Sequence, residues 1–306
     1  MADLPPFSLL IPVYYGDSPE FLRHAMYSTV QHQTVRPSEV ILVQDGPVRE
    51  AMAKTIQALI DECPVPMLHV DLPVNSGLST ALDRGLEMCR FDIVARMDAD
   101  DLSAPNRFEK QLARIADGYE LVGSGMYEFE ADDDGQIRDG IQRIPPGTPD
   151  EIATYARFHD PFNHPTVVYS RKAVARAGGY QQLGLMEDYW LFARMIASGA
   201  RVCNIREPLV RYRISSGAYT RRGGLRLLRS EVQLQTAFLR VGFTTPPQFV
   251  RNILVRGLYR LTPELIRRVS YRRLILARRG DPTQKIRFGD EASGDPSLSP
   301  NETPKN

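Results

Sequence analysis

The chain has 306 residues, of which 42% are hydrophobic and 25% are charged, and its formal net charge is +1. This is the composition of an ordinary globular protein, so a disordered or fibrous chain is excluded. No apolar run approaches the roughly 18 residues that a membrane-spanning helix needs, and none is predicted.

The first predicted element is a strand near the N-terminus. Residues Ser8 to Val13 are mostly apolar, and the run ends at Tyr14. The segment has no basic n-region and meets Pro12 after a short apolar run, unlike a secretory signal peptide. The chain also has three widely spaced cysteines, which suit reduced thiols. These features predict a cytoplasmic protein.

Helices and strands alternate through the next eighty or so residues. Helices are predicted for Pro19 to about Gln31, Arg49 to Glu62 and Ser79 to Cys89, and strands for Glu39 to Gln44, Met67 to Asp71 and Asp92 to Arg96. Short apolar strands separated by helices are typical of βαβ units, so we predict an α/β fold with a mostly parallel sheet. Ligands of such folds bind beyond the carboxyl ends of the strands. Tyr14, Asp45 and Asp98 each follow a predicted strand and are expected to converge on one crevice.

An acidic cluster follows the fourth strand. Asp98, Asp100 and Asp101 come directly after the apolar run, and Pro105 then opens a helical pattern. Carboxylates this close repel one another unless something positive lies beside them. Hard oxygen ligands suit Mg²⁺ or Mn²⁺, which keep waters and share their shell with substrate phosphates. The alternative is an acidic turn in which Asp101 or Ser103 caps the next helix.

The middle of the chain contains further polar positions. A hairpin with a charged tip is predicted from Glu128 to Gly140. His164 precedes Pro165 and is expected to be extended. Glu187 and Asp188 open a predicted helix, where acidic residues suit the helix dipole.

The last quarter of the chain is strongly basic. Residues 221–280 contain 14 arginines against two glutamates, whereas residues 1–220 carry a net charge of −9. Helices are predicted for Leu225 to Val241, Pro247 to Leu261 and Pro263 to Arg279, with the arginines forming a basic face. Five apolar residues of the first of these helices are expected to pack on the body of the protein: Leu227, Leu228, Val232, Leu234 and Phe238.

A basic amphipathic region indicates binding to an anionic membrane surface. An ordinary solvated face is the alternative. Nucleic-acid binding is not predicted, because no recognition motif accompanies the charge. Residues 281–306 are rich in Ser, Pro, Asp and Gly and are predicted to be disordered.

Seven motifs, in their order and spacing, resemble the family 2 glycosyltransferases with a GT-A fold, in particular the bacterial exopolysaccharide and amylovoran-type enzymes. The motifs are FSLLIPVYYGD, VILVQDGP, NSGLSTALDRGL, ARMDADDLSAPNRFEKQ, FNHPTVVYSRKAV, GGYQQLGLMEDYWLFARM and PLVRYRI. The resemblance covers roughly Phe7 to Tyr219. It implies a catalytic domain at 1–220, with a nucleotide-sugar half at about 1–110, an acceptor half at about 111–220 and a helical extension at 221–280. Two places depart from the family pattern: Gln44 and Pro47 replace an Asp and a Ser, and Asp83 replaces an Asn.

The resemblance implies a metal-dependent inverting transferase. It would move a hexosyl or N-acetylhexosaminyl group from a nucleotide sugar, with UDP favoured and GDP open, to a hydroxyl of a glycan or lipid-linked glycan in exopolysaccharide synthesis. The enzyme would be cytoplasmic and peripheral on the inner face of the membrane. The alternative is a non-catalytic, membrane-associated scaffold of a polysaccharide assembly with a degenerate site.

The family pattern also implies roles on the donor side. Asp100 resembles the direct ligand of Mn²⁺ or Mg²⁺, with Asp98 completing the shell or holding the ribose. Asp45 resembles the residue that accepts the ring N–H of uracil, and its alternative is a turn former before a glycine. Pro12 and Tyr14 would line the nucleotide pocket, although Tyr14 also suits core packing.

Four arginines are candidates to bind the donor diphosphate, because a guanidinium fits phosphate oxygens: Arg84, Arg96, Arg211 and Arg213. Arg84 also suits an exposed helix face, and Arg96 also suits a counter-charge for the acidic cluster.

On the acceptor side, the resemblance makes Asp188 the general base, next to Glu187. Helix capping is the alternative for both. Trp190 would stack on a sugar or pack in the interior, and His164 would touch sugar or phosphate or be a hydrogen-bonded core histidine.

Overall fold

The computed structural model describes residues 4–131, 137–214 and 225–261. The predicted hairpin tip, the predicted helix from Pro263 to Arg279 and the predicted disordered tail lie outside the described residues. The strands are β1 (Phe7–Tyr14), β2 (Glu39–Asp45), β3 (Met67–Leu72), β4 (Ile93–Arg96), β5 (Leu102–Ser103), β6 (Leu121–Ala131), β7 (Ile137–Arg143), β8 (Val168–Ser170) and β9 (Val202–Arg213). The helices are α1 (Pro19–Met26), α2 (Glu50–Glu62), α3 (Leu78–Met88), α4 (Arg107–Ala116), α5 (Pro149–Tyr155), α6 (Arg171–Arg176), α7 (Glu187–Ala197), α8 (Leu225–Arg240) and α9 (Pro246–Leu261).

The strands form one mixed sheet in the order β3-β2-β1-β4-β8-β6-β9-β5, with β7 paired to β6. The first four strands in this order are parallel, and the three longest ladders, β1–β2, β2–β3 and β6–β9, are all parallel. This confirms the predicted α/β fold with a mostly parallel sheet. The antiparallel β4–β8 ladder joins the two halves of the chain in this sheet.

The sheet opens where β4 leaves β1. The ladder between them ends at Leu10 and Arg96, and the backbone N–H of Met97 donates to the carbonyl of Leu10 at 3.1 Å. Pro12 lies two residues after Leu10, so its backbone nitrogen faces the same side of β1 as the Leu10 carbonyl. On that side, β4 no longer pairs with β1. A proline costs no ladder hydrogen bond there, because it has no N–H to satisfy. The chain after Arg96 is thus free to leave the sheet, and it carries the acidic cluster.

Alternating residues of the central strands bury opposite faces of the sheet. Leu9 and Ile11 pack under α1, α2 and α4, whereas Leu10 packs under α3, α6 and α7. A third cluster joins α7 to α8, with Trp190 and Phe238 among its members. Within the described ranges, no helix is long and apolar enough to span a bilayer.

Three local expectations are wrong. Helix α4 begins at Arg107 instead of Pro105, and Val232 of α8 is exposed instead of packed on the body. His164 opens a 3₁₀ turn, His164–Thr166, instead of lying extended. Both the backbone N–H and the hydroxyl of Thr166 donate to the carbonyl of Asn163, at 2.9 and 2.8 Å, and these bonds hold the turn closed.

Candidate active site

Carboxylates gather where β1 and β4 end. Burial, together with the charges of Asp100 and Asp98, raises the pKa of Asp17 to about 7. Burial and the charge of Asp98 raise the pKa of Asp100 to about 6. The charges of the three carboxylates therefore act on one another at this end of the sheet. The sequence did not suggest Asp17, which looks there like a polar turn residue.

Arg96 provides a counter-charge to this group. Its side chain is 2% exposed, and that of Asp98 is 25% exposed. Its Nη1 donates to Asp98 Oδ2 at 3.0 Å, and its Nη2 donates to Asp98 Oδ1. The alternative of a counter-charge therefore describes the contacts of Arg96 in this structure.

The end of β9 is fastened to the acidic loop. The backbone N–H of Arg213 donates to Oδ1 of the fully buried Asp101 at 2.8 Å, and its Nε donates to the carbonyl of Asp100 at 2.9 Å. Its guanidinium also lies over the rings of Phe21 and Phe129, 3.9 and 4.5 Å from their centroids. Asp101 therefore fixes β9 and does not cap α4, whose N-cap position is occupied by Asn106.

A second buried arginine, Arg107, ties the loop to the neighbouring segments. Its guanidinium donates to the carbonyls of Arg96 at 2.7 Å and Pro165 at 3.2 Å, and to Ser103 Oγ at 3.0 Å. Burial and the charge of Arg96 lower its pKa to about 9. The sequence contains one indication that Arg107 is buried. It falls four residues before Gln111, so both residues lie on the same, buried side of α4.

The first turn of α7 holds a second acidic group. Asp188 Oδ1 accepts from the backbone N–H of Tyr189 at 2.7 Å, and its Oδ2 lies 3.8 Å from His164 Nδ1. Burial raises the pKa of Asp188, while Arg96 opposes that rise and Asp98 adds to it. Burial and the charge of Asp188 also raise the pKa of Glu187 and of Asp160.

The two acidic groups are thus brought together around Arg96. Asp98 and Asp188 are 90 positions apart in the sequence. The sequence did not suggest Asp160, which lies in an irregular segment.

The other side of the crevice begins where β1 and β2 end. Tyr14 and Asp45 are partners in the β1–β2 ladder. Tyr14 is 50% exposed, which excludes core packing, whereas Pro12 is buried within β1. The carboxylate of Asp45 accepts from the backbone N–H groups of Ser76 at 2.7 Å and Gly77 at 2.9 Å, and so fixes the loop that leads into α3.

Three of the predicted site residues have contacts other than the acidic groups described above. Arg84 lies on the exposed side of α3 and pairs with Glu87 at 2.8 Å. Trp190 is buried between α7 and α8, and its Nε1 donates to Gln181 Oε1 at 3.0 Å. Arg211 is half-buried in β9 and lies opposite Leu102 in the β5–β9 ladder.

The donor set at the acidic loop suits a divalent cation that keeps other ligands. Among the described residues, no group of three or more His, Cys, Asp or Glu side chains is arranged to hold a metal by itself. Asp98 and Asp100 offer hard carboxylate oxygens, and a cation beside them would oppose the rise that burial and Asp98 cause in the pKa of Asp100. Mg²⁺ and Mn²⁺ fit such a site, because one or two carboxylates suffice when water and phosphate complete the shell.

Comparison with known proteins gives one family. The model of the family described as "Glycosyl transferase family 2" matches residues 8–178. An amylovoran biosynthesis glycosyltransferase, AmsE of Erwinia amylovora, is 37% identical over 265 residues, which are 87% of this chain and 97% of that protein. The UDP-Gal:alpha-D-GlcNAc-diphosphoundecaprenol beta-1,3-galactosyltransferase of Escherichia coli is 34% identical over 277 residues, 89% of this chain and 98% of that protein.

Solved structures share the fold. The mannosyltransferase PcManGT of Pyrobaculum calidifontis, in complex with GDP-Man and Mn²⁺, has a TM-score of 0.58 at 18% identity, covering 92% of this chain and 78% of that one. Residues 1-349 of TarS of S. aureus, in complex with UDP-GlcNAc, have a TM-score of 0.56 at 15% identity, covering 76% and 66%. At these identities the comparison shows the GT-A fold alone.

Proposed function

Because the chain belongs to glycosyl transferase family 2, and is thus a glycosyltransferase of exopolysaccharide or O-antigen type, we propose that it is a metal-dependent inverting enzyme that uses a UDP-sugar. The observation that carries this proposal is the convergence of Asp98, Asp100 and Asp188 around the buried Arg96. A carboxylate pair for a cation and a separate carboxylate for a proton are the two groups that transfer from a sugar diphosphate requires.

On the donor side, Asp100 and Asp98 would hold Mn²⁺ or Mg²⁺, which would supply Lewis-acid stabilisation of the negative charge on the leaving diphosphate. Arg213 is anchored to this loop through the carbonyl of Asp100, which supports a role in binding the diphosphate. Arg84, Arg96 and Arg211 remain candidates for further phosphate contacts. Pro12, Tyr14 and Asp45 line the nucleotide side, where Asp45 retains lone pairs to accept a base N–H.

On the acceptor side, Asp188 takes the proton of the attacking hydroxyl while the sugar transfers in one displacement, which inverts C1. Burial raises the pKa of Asp188, and a more basic carboxylate is a better proton acceptor. Glu187, His164 and Trp190 belong to this side of the site, with Trp190 supporting the start of α7 from the interior.

The sugar and acceptor of the E. coli relative provide the first pair to test: UDP-galactose and an N-acetylglucosamine diphospholipid. GDP-mannose is the alternative donor, because a structural neighbour binds it. We propose a hexosyl or N-acetylhexosaminyl donor and a lipid-linked glycan acceptor. Purified protein with Mn²⁺ should release UDP and form a product with inverted C1 configuration, measured by NMR.

EDTA should abolish that reaction. Failure to transfer from any of a panel of UDP- and GDP-sugars, with this acceptor and others, would instead favour the non-catalytic scaffold. Product with retained configuration would refute the single displacement.

The membrane is the second proposed partner, and α9 supports it. The side of α9 that faces the protein is polar: Asn252 Nδ2 donates to Gln235 Oε1 at 2.9 Å, and Arg256 Nη1 donates to the buried Glu231 at 2.6 Å. The opposite side exposes three apolar residues, Val250, Leu254 and Val255, by 53, 59 and 53%, together with the exposed Arg251. These three positions fall within about 140° of the helix circumference.

An amphipathic helix turned in this way presents apolar side chains to its surroundings, and the arginine-rich region 221–280 adds positive charge. We therefore propose that the extension after residue 220 rests on an anionic membrane surface at the cytoplasmic side. In flotation assays the protein should bind vesicles containing phosphatidylglycerol more strongly than neutral vesicles. Leu254→Asp should weaken that binding, whereas Val74→Asp, an exposed site on the body, should not. Equal binding by both variants would refute the role of α9.

A further inference from the structure

A chain of polar side chains runs from the core to the proposed base. His164 is buried, and its Nε2 lies 3.1 Å from the hydroxyl of Tyr180. That hydroxyl lies 3.4 Å from the hydroxyl of Tyr169. On the other side of the imidazole, Nδ1 lies 3.8 Å from Asp188 Oδ2. The ring is also held edge-on against Phe192, with the centroids 5.8 Å apart and the planes at 75°. His164 thus lies between the hydroxyl of Tyr180 and the carboxylate of Asp188.

The surroundings keep the imidazole neutral. Burial and the positive charge of Arg96 lower the pKa of His164 well below its usual value. Burial raises the pKa of Tyr180 and of Tyr169, so both hydroxyls keep their protons. A neutral imidazole has one donor nitrogen and one acceptor nitrogen, and the neighbours decide which is which.

One arrangement of protons satisfies every member of the chain. A carboxylate only accepts, so the nitrogen facing Asp188 has to be the donor. Nε2 is then the acceptor of a hydrogen bond from the Tyr180 hydroxyl, whose oxygen accepts in turn from the Tyr169 hydroxyl. The opposite tautomer would turn two lone pairs, those of Nδ1 and of Asp188 Oδ2, toward each other.

We propose that His164 is a positioning residue, whose Nδ1–H orients the carboxylate of Asp188 for proton abstraction. This inference rests on the proposed function. The Tyr189 N–H donates to Oδ1, and His164 Nδ1 faces Oδ2. A distance of 3.8 Å is a contact and not yet a hydrogen bond, and such contacts shorten when the acceptor substrate is in place. A neutral donor stabilises the carboxylate without adding a positive charge that would weaken it as a base.

Several ionisable groups act on this pair and set the direction of its pH dependence. They are Arg96 and Asp98 at the end of β4, Asp160 after α5, Glu187 of α7, and the hydroxyl of Tyr180, which Tyr169 contacts. Loss of the Nδ1–H removes a donor from the anionic form of Asp188. The carboxyl then holds its proton to higher pH, and the acidic limb of the rate profile moves upward.

Two amide substitutions separate the two nitrogens of the ring. In His164→Asn the amide lies near the position of Nδ1 and retains a donor for Asp188. In His164→Gln it reaches toward the position of Nε2 and retains only the contact with Tyr180. For His164→Gln we expect kcat to fall about tenfold, and its acidic limb to rise by about one pH unit, as expected for the loss of one hydrogen bond to a charged group. His164→Asn should stay within about threefold of the wild type, with its limb unmoved.

The experiment has a second readout that needs no substrate. NMR of the free protein with ¹⁵N-labelled histidine, assigned through His164→Gln, should show the Nδ1–H tautomer at His164. The Nε2–H tautomer, or equal effects of the Asn and Gln variants on the pH profile, would overturn the positioning role alone. Absence of transfer by the wild type would overturn the proposed function, and the positioning role with it. A thermal shift with UDP and Mn²⁺ checks that both variants keep the folded donor site.

Discussion

Arg96 is the position at which the electrostatics of this site can be tested most sharply. Its guanidinium is 2% exposed and holds both oxygens of Asp98, which is itself 25% exposed. Arg96→Met keeps an unbranched apolar stem but removes the guanidinium, so Asp98 loses the counter-charge that holds both of its oxygens. Removing one partner of a buried ion pair costs about 3–5 kcal/mol. Because a quarter of the Asp98 side chain reaches solvent, we expect the low end, about 3 kcal/mol of unfolding free energy at pH 7.

The assay is urea unfolding followed by circular dichroism, with EDTA present. Arg84→Met is the matched control, since its pair with Glu87 is exposed on both sides and should contribute nothing measurable. Adding Asp98→Asn to Arg96→Met should recover part of the loss, because the uncompensated charge is gone. The reasoning is refuted if Arg96→Met is no less stable than Arg84→Met, or if Asp98→Asn brings no recovery.

Three further predictions concern single residues. Asp17 has a pKa raised from 3.8 to about 7, so the folded state binds more protons than the unfolded state, and stability falls as pH rises through this window. Asp17→Asn should leave the free energy of unfolding unchanged at pH 4. At pH 8 it should raise that free energy by at most about 4 kcal/mol, the equivalent of about three pKa units. An unchanged pH dependence in metal-free urea titrations would count against this. Asp188→Asn should lower kcat by about 10²–10⁴-fold with the donor KM unchanged, and unimpaired turnover would remove Asp188 as the base. Gly46→Ala should destabilise the fold by about 1–3 kcal/mol more than Gly77→Ala. Both glycines have positive φ, but a Cβ at Gly46 would lie 2.5 Å from the backbone nitrogen of Asn75. At Gly77 no heavy atom of the described chain would lie within 4 Å of a Cβ.

The first hundred residues could be predicted from the sequence, because their information is local. Each strand is an apolar run bounded by turn residues, and parallel connections bring strand ends to one edge. Tyr14 and Asp45 were expected to converge for this reason, and they are ladder partners. Asp98 follows the same rule, since β4 pairs with β1.

The contacts that complete the site could not be predicted, because they join residues far apart. The bond from the Arg213 backbone to Asp101 spans 112 positions, and no periodicity gives such a register. Asp17 and Asp160 lie in irregular segments, where a polar residue is ordinary and does not point to a site. Asp101 looked like a helix cap because caps and buried acceptors use the same residue types.

Where the sequence allows two roles for a residue, its burial and its partners in the structure decide between them. Arg96 can bind phosphate or neutralise acids, and only the structure shows that its guanidinium holds Asp98. Trp190 lies on a helix with few polar positions, so the pattern did not distinguish a stacking platform from the α7–α8 interior in which it is found.

Binding of UDP measured by thermal unfolding, with and without Mn²⁺, tests the central claim most directly. At a hundredfold excess over Kd, the wild type should gain about 5 °C with UDP and Mn²⁺ together, and nothing with UDP in EDTA. Asp100→Ala should lose this gain, while Asp188→Asn should keep it. An equal shift in EDTA, an undiminished shift in Asp100→Ala, or no metal-dependent shift with any nucleoside diphosphate would contradict the account.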